Sequence, residues 1–284
     1  MRSQHQETFF SLLNGWNNIT ASSESDLISL PGTSSAISSI KLINYKHQIT
    51  PENNLTGRKI FFFSDMHYND SAIHPELFRT AVRKAQPDWI VFGGDLITYS
   101  CHFDDAFKWL HDVFAEFADI PKFTVYGNWD RRKRPWISHY DWRSRYAESG
   151  FQLLVNNDAE SAGVRFYGLD ETRGGHPVIT EESTQHKTNC YIAHNIESVI
   201  ESGLLRNIPE KSIILCGHTH GGQVRLPLFG ALFTSTRYWK LFEYGQYKHR
   251  KSGTSLIVTS GLGYSRLPVR MLCPPEAVVI NFTV

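Results

Sequence analysis

Ser212-Ile213-Ile214-Leu215-Cys216-Gly217-His218-Thr219-His220-Gly221-Gly222-Gln223 decides the reading of this chain. Its first five residues form a short apolar run stopped by glycine, the pattern of a buried β-strand. Two histidines two residues apart then stand in a glycine-flanked loop at the carboxyl end of that strand. Open α/β sheets form their ligand crevice at such ends. Alone, the pair is either a metal-ligating motif or an ordinary polar loop.

Working outward, the same grammar recurs. Lys59-Ile60-Phe61-Phe62-Phe63-Ser64 runs into Asp65-Met66-His67, and Trp89-Ile90-Val91-Phe92 into Gly93-Gly94-Asp95. Lys122-Phe123-Thr124-Val125-Tyr126 runs into Gly127-Asn128-Trp129-Asp130, and Cys190-Tyr191-Ile192-Ala193 into His194. Each of the five is, singly, a polar strand end; together they argue for one shared site. Imidazole, carboxylate and amide oxygen donors suit borderline or hard divalent metals such as manganese, iron or zinc. A thiolate site is disfavoured, because Cys101, Cys190, Cys216 and Cys273 lack ligand spacing.

In this order, Asp-x-His, Gly-Asp, Gly-Asn-x-Asp, a lone His and Gly-His-x-His resemble the calcineurin-like metallophosphoesterases, over residues 57–284. The extended Gly217–Pro227 block and the terminal Ser260-Gly261-Leu262-Gly263-Tyr264-Ser265 are similar to the membrane-associated bacterial branch. The resemblance implies an α/β fold, a four-layer α/β/β/α sandwich with a dinuclear metal site at the sheet edge. It implies that Asp65, His67 and His220 hold one divalent ion, Asn128, His194 and His218 the other, and that Asp95 bridges them, with manganese expected first. It implies hydrolysis by a water shared between the ions and activated by them, attacking phosphorus in line. Asp95, Asn128, His194 and Asp130 are then the catalytic set, Asp130 orienting His194 or another ligand. A binding scaffold without catalysis is the alternative that this complete ligand set opposes.

Two positions depart from the family pattern. Trp129 stands where a histidine is usual, and tryptophan cannot protonate a leaving group, although its indole can donate one hydrogen bond and stack. Thr98 stands where a second acidic residue is frequent. Losing the histidine matters most for alkyl phosphates and least where the leaving group is itself a phosphate. This argues against a generic phosphomonoesterase.

Charge and apolarity add substrate expectations. Arg131-Arg132-Lys133-Arg134 follows the Asn128 loop, and Arg225, Arg237, Lys240, Arg266 and Arg270 fall in the C-terminal loops. These residues are either solvated surface or an anion-binding rim; Trp129, Arg131, Arg132, Arg225 and Arg270 are the candidate substrate contacts. A nucleic-acid partner is disfavoured by a net charge of +1, leaving a small anionic or lipid phosphate. Leu226–Phe233, Tyr238–Phe242 and Pro135–Trp142 are rich in apolar and aromatic residues; they either pack on the core or form a rim for an acyl chain or membrane surface. A lipid pyrophosphate substrate would make the chain similar to the UDP-2,3-diacylglucosamine pyrophosphatases of lipid A synthesis. The rival expectations are a general phosphodiesterase or phosphomonoesterase, or a nuclease.

The 284 residues, 41% hydrophobic and 20% charged, suffice for one large α/β domain. No apolar run reaches the ~18–20 residues of a membrane-spanning helix, and the first residues lack a signal-peptide pattern. The expectation is a cytoplasmic protein with reduced thiols, at most peripheral to a membrane. Residues 1–56 read as an N-terminal extension or cover, with Ser38–Tyr45 an edge strand, and 57–284 as the metallophosphoesterase domain. Helical spacing falls on Pro75–Lys84 and Asp104–Phe117.

Overall fold

The computed structural model describes residues 15–284, apart from 33–34, 36, 70–72, 132–136, 181–187, 239 and 266. In chain order the first half contains β1 (Trp16–Asn18), β2 (Glu24–Ser29), β3 (Ser39–Gln48), β4 (Lys59–Phe63), α1 (Pro75–Ala85), β5 (Trp89–Phe92) and α2 (Phe103–Phe114). There follow β6 (Lys122–Thr124), α3 (Asn128–Arg131), α4 (His139–Glu148), β7 (Phe151–Leu153), β8 (Asn157–Ser161) and β9 (Val164–Gly168). The remainder is β10 (Asn189–Ile192), α5 (Ile196–Glu201), β11 (Ile213–Cys216), β12 (Arg225–Leu226), β13 (Gly230–Ala231), β14 (Gly245–His249), β15 (Ser255–Val258) and β16 (Glu276–Thr283).

Two seven-stranded sheets result, ordered β2-β3-β16-β4-β5-β6-β7 and β1-β14-β15-β11-β10-β9-β8. Strand alternation explains why their central strands are apolar throughout. Ile60 and Phe62 of β4 face the second sheet, where they meet Cys190, Ile192, Ile213 and Leu215. Phe61 and Phe63 face the helices, against Leu77, Phe78, Ala81 and Val82 of α1 and Leu110 and Phe114 of α2. Tyr191 and Ile214, pointing oppositely from their neighbours, pack with Ile196 and Val199 of α5. The layers are therefore helix, sheet, sheet, helix, the four-layer α/β/β/α sandwich expected. Helix α1 starts at Pro75, with His74 Nδ1 accepting from the Glu76 N–H, and stops at Gln86 in a left-handed conformation (φ 50°).

The segment before residue 57, expected to be an extension or cover, contributes strands to both sheets. β3 is also not an edge strand: it pairs in parallel with β16 from Lys41–Glu276 to Gln48–Thr283, and β2 forms the edge beyond it. The polar β2, with only Ile28 buried, gives no apolar signal of this role. All four cysteines are free, and Cys190, Cys216 and Cys273 are buried. Among the described residues no helix is long and apolar enough to cross a membrane.

Candidate metal centre

Strands β4, β5 and β6 lie side by side in parallel in one sheet, and β10 and β11 in the other. Their carboxyl ends therefore open on one edge of the sandwich, bringing together Asp65, His67, Asp95, Asn128, His194, His218 and His220. The chain must turn sharply there: Asp65, His67, Asp95, His218 and His220 have φ of 54°, 44°, 57°, 70° and 51°, a left-handed backbone that non-glycine residues adopt at a cost. Close approach fixes glycine as well. A Cβ on Gly127 would lie 2.1 Å from Asp95 Oδ1, and one on Gly94 (φ 87°) 2.4 Å from the Gly127 nitrogen.

Two buried triads form, Asp65–His67–His220 and Asp95–His194–His218, the donor atoms of each lying within 4.8 Å of one another. Asp95 belongs to both neighbourhoods: its Oδ2 is 3.2 Å from His194 Nε2 and 3.5 Å from His67 Nε2, while its Oδ1 accepts from the Trp129 N–H at 2.7 Å. Asn128 Oδ1 lies 3.2 Å from His194 Nε2.

Proton arithmetic shows that this donor set fits cations. His194 Nδ1 is 2.8 Å from the Gly93 carbonyl, which can only accept, so Nδ1 carries the proton. The bare Nε2 then faces Asp95, Asn128 Oδ1 and, at 3.2 Å, His218 Nδ1. In the other triad His67 Nε2 and His220 Nε2 face each other at 3.1 Å. Lone pairs and carboxylates converging in burial are what divalent ions satisfy. Burial and mutual charge displace these groups from their ordinary ionisation. Burial raises the Asp65 carboxyl above its usual range, with the Asp95 charge adding to the effect. Burial lowers His218, to about 3, and His194 next to it adds to the effect. Burial would also raise Asp95 and lower His194, but their mutual attraction outweighs it, holding Asp95 low and His194 high. With two cations in place the imidazoles stay neutral and both carboxylates ionised.

Around the triads, other residues hold the donors in place. Asp130 reaches Asp95 and not His194. Its Oδ2 accepts from the Asp95 and Gly127 N–H groups, both at 2.8 Å, and its Oδ1 from Leu96 at 3.2 Å, so it braces the Asp95 turn. Thr98, standing where an acidic residue is frequent, places its hydroxyl 2.7 Å from His67 Nδ1 and orients that ring. Arg131 pairs with Asp170 at 3.0 Å, and Arg225 with Glu243 at 2.9 Å. Arg270 donates to the Ser260 and Gly263 carbonyls at 2.9 and 2.6 Å and passes within 3.5 Å of His220 Nδ1. Arg132, Lys133, Arg134 and Arg266 lie outside the described residues. Trp129 lies edge-on to His67, ring centres 6.1 Å apart.

A cavity of about 580 Å³ opens over the triads, lined by Asp95, Asn128, Trp129, Arg173, His218 and His220. Leu232, Phe233, Leu267 and Val269 also line it. The aromatic segments divide: Phe229 and Phe233 are 71% and 73% exposed, whereas Phe242 and Trp142 are buried in the core. Trp136 lies outside the described residues. Arg173, in the loop after β9, went unnoticed in the sequence; the available signal was that β9 is another parallel strand ending at the same edge.

Two buried candidate ligand triads at one sheet edge fit a two-metal phosphoesterase centre. The chain belongs to the calcineurin-like phosphoesterase family, whose model matches residues 58–222. It is therefore a metal-dependent phosphoester hydrolase. Among its relatives, the uncharacterized metallophosphoesterase YkuE of Bacillus subtilis is 29% identical over 239 residues, 79% of each chain. Phosphodiesterase YaeI of Escherichia coli is 27% identical over 242 residues, covering 81% of this chain and 84% of that one. A crystal structure of a dimetal phosphatase from Danio rerio aligns with a TM-score of 0.44 at 14% identity, covering 73% of this chain and 88% of that chain.

Proposed function

We propose that this protein hydrolyses a phosphodiester or pyrophosphate bond in a substrate that carries an apolar group, with a lipid-linked nucleotide such as UDP-2,3-diacylglucosamine as the leading class. The observation that carries this reading is the cavity, whose lining combines candidate metal ligands with Leu232, Phe233, Leu267 and Val269. Phe233 and Leu267 are 73% and 70% exposed, an arrangement suited to an acyl chain or the outer layer of a membrane. Manganese is the metal pair we propose, given oxygen and imidazole donors and no thiolate. Bound cations supply an activated water and neutralise phosphoryl oxygens.

The chain's own residues do the rest. Asp130 and Thr98 fix the Asp95 turn and the His67 ring. Trp129, on the cavity wall, offers an aromatic face to a leaving group and no proton-donating acid, which suits a leaving group that departs as a phosphate or stable alcohol. The phosphodiesterase name of the Escherichia coli relative supports the diester part of the reading. A soluble phosphodiester is the second reading, favoured by that relative alone.

The test compares the manganese-loaded protein on UDP-2,3-diacylglucosamine, bis(p-nitrophenyl) phosphate and p-nitrophenyl phosphate. Release of UMP from the lipid nucleotide is expected to have the highest kcat/KM and the monoester the lowest. A higher kcat/KM for the soluble diester removes the lipid assignment; a higher one for the monoester overturns the linkage assignment too.

A further inference from the structure

Arg173 is the only lysine or arginine among the described residues that line the cavity over the two triads. Its position is built. The Arg173 N–H donates to Glu171 Oε2 at 2.6 Å, and Glu171 Oε1 accepts from Asn195 Nδ2, also at 2.6 Å, so the loop is tied to the residue after His194. The guanidinium gives one bond to the Ser235 carbonyl, at 3.0 Å, and comes within 3.4 Å of His218 Nε2. Its Nε and Nη1 groups bond no protein acceptor among the described residues.

The His218 ring explains what belongs beside it. Nδ1 faces His194 Nε2 at 3.2 Å, on the cluster side, while Nε2 faces Arg173. With Nδ1 given to the cluster, Nε2 is a donor. Two donors thus sit side by side on the cavity lining. A guanidinium retains further donors in a planar fork, which matches the oxygens of a phosphoryl group. The other arginines expected to do this are committed to Asp170, Glu243 and backbone carbonyls.

We propose that Arg173 grips a non-bridging oxygen of the phosphoryl group under attack, supplying the positive charge on the open side of the metal centre. The substrate phosphoryl group therefore needs two non-bridging oxygens, one for the metal side and one for Arg173, which phosphodiesters and pyrophosphates both have. The proposal rests on the phosphoesterase reading above and is independent of its lipid part.

The experiment uses manganese-loaded full-length protein with Arg173→Gln and Arg173→Lys. Inorganic phosphate binding is measured by calorimetry, turnover with bis(p-nitrophenyl) phosphate, and metal content and melting temperature are recorded beside them. For Arg173→Gln, phosphate affinity falls about tenfold or more and kcat/KM about 100-fold, with metal content and melting temperature unchanged. Arg173→Lys recovers part of both, since it restores the charge without the fork. Wild-type phosphate affinity and turnover in Arg173→Gln would overturn the proposal. So would a loss of activity accompanied by loss of metal, which assigns Arg173 to latching Ser235. Neither probe carries a lipid, so failure of the lipid assignment leaves this result standing. If the wild-type protein hydrolysed no ester, phosphate binding would still report on Arg173.

Discussion

Asp130 offers a sharp separation of bracing from proton transfer. Its carboxylate accepts from three backbone N–H groups, at 2.8 Å from Asp95, 2.8 Å from Gly127 and 3.2 Å from Leu96. An asparagine with its oxygen at the Oδ2 position keeps both short bonds. It loses the longest and sets an amide N–H against that of Leu96, at a cost of about 1–3 kcal/mol. Part of this is offset, because Asp130 is a buried carboxyl raised by burial and by the Asp95 charge, and asparagine removes that repulsion. Asp130→Asn should therefore lower kcat/KM by about tenfold or less, 1.4 kcal/mol being tenfold. Asp130→Ala leaves all three N–H groups without their acceptor, about 3 kcal/mol at the least, and frees the Asp95 turn. Its activity should fall more than about 100-fold, together with metal affinity. The assays are calorimetric manganese titration and steady-state turnover of a soluble phosphodiester. If Asp130 passed a proton to or from the substrate, asparagine would be as inactive as alanine; that result would refute the bracing argument.

Thr98→Val removes the hydroxyl beside His67 Nδ1 and should weaken one of the two metals about 10–100-fold while sparing the other, read as a split in a metal titration. Trp129→His restores an acid at the cavity wall and should raise turnover of a phosphomonoester relative to a phosphodiester; an unchanged ratio would count against our reading of that position. His47 lies away from the metal centre, buried between Ser255 Oγ and the Lys211 carbonyl, and burial pushes it down from 6.5 to about 4. The unfolded chain takes up a proton near pH 6.5 that the folded protein refuses until about pH 4, so this stability is full above 6.5 and is lost as pH falls through that window. The loss is about 3 kcal/mol, and urea unfolding of wild type and His47→Gln at pH 7 and pH 4.5 should show a smaller pH effect in the variant.

The ligand loops were legible because strands buried on both faces read as unbroken apolar runs, and each run stops at a donor residue, three of the five beside glycine. Phe61 and Phe63 serve one face and Ile60 and Phe62 the other, so β4 could hardly be anything else. What stayed hidden depends on partners distant in sequence. Nothing local to Arg131 announces Asp170, 39 residues on, or to Arg225 the carboxylate of Glu243. The aromatic segments could not be sorted either, since local apolarity does not say which face is covered: Phe242 packs against Trp16 and Tyr247, while Phe229 and Phe233 remain exposed. Thr98 and Arg173 are ordinary residues whose roles come from one contact each with a ligand histidine.

The centre sits on the seam between two sheets, and the seam explains why its ligands tolerate unfavourable backbone angles. The His218 N–H donates to both carboxylate oxygens of Asp65, at 3.1 and 2.9 Å, joining the β11 loop of one sheet to the β4 loop of the other. The Gly217 N–H donates to the His194 carbonyl at 2.9 Å, His67 to Asp95 at 3.0 Å, and Gly263 to Asp65 at 2.7 Å. Asp65, His67, Asp95 and His218 are thus each bonded to a neighbouring loop. Each such residue costs about 1–3 kcal/mol in isolation, and Asp65 and His218 cannot relax without breaking the bonds that join the two sheets. The same interlock holds the donor loops to one another. It also separates two parts of the site: strand ends carry the candidate metal ligands, and the loops beyond them carry Arg173, Phe233 and Leu267 on the cavity lining.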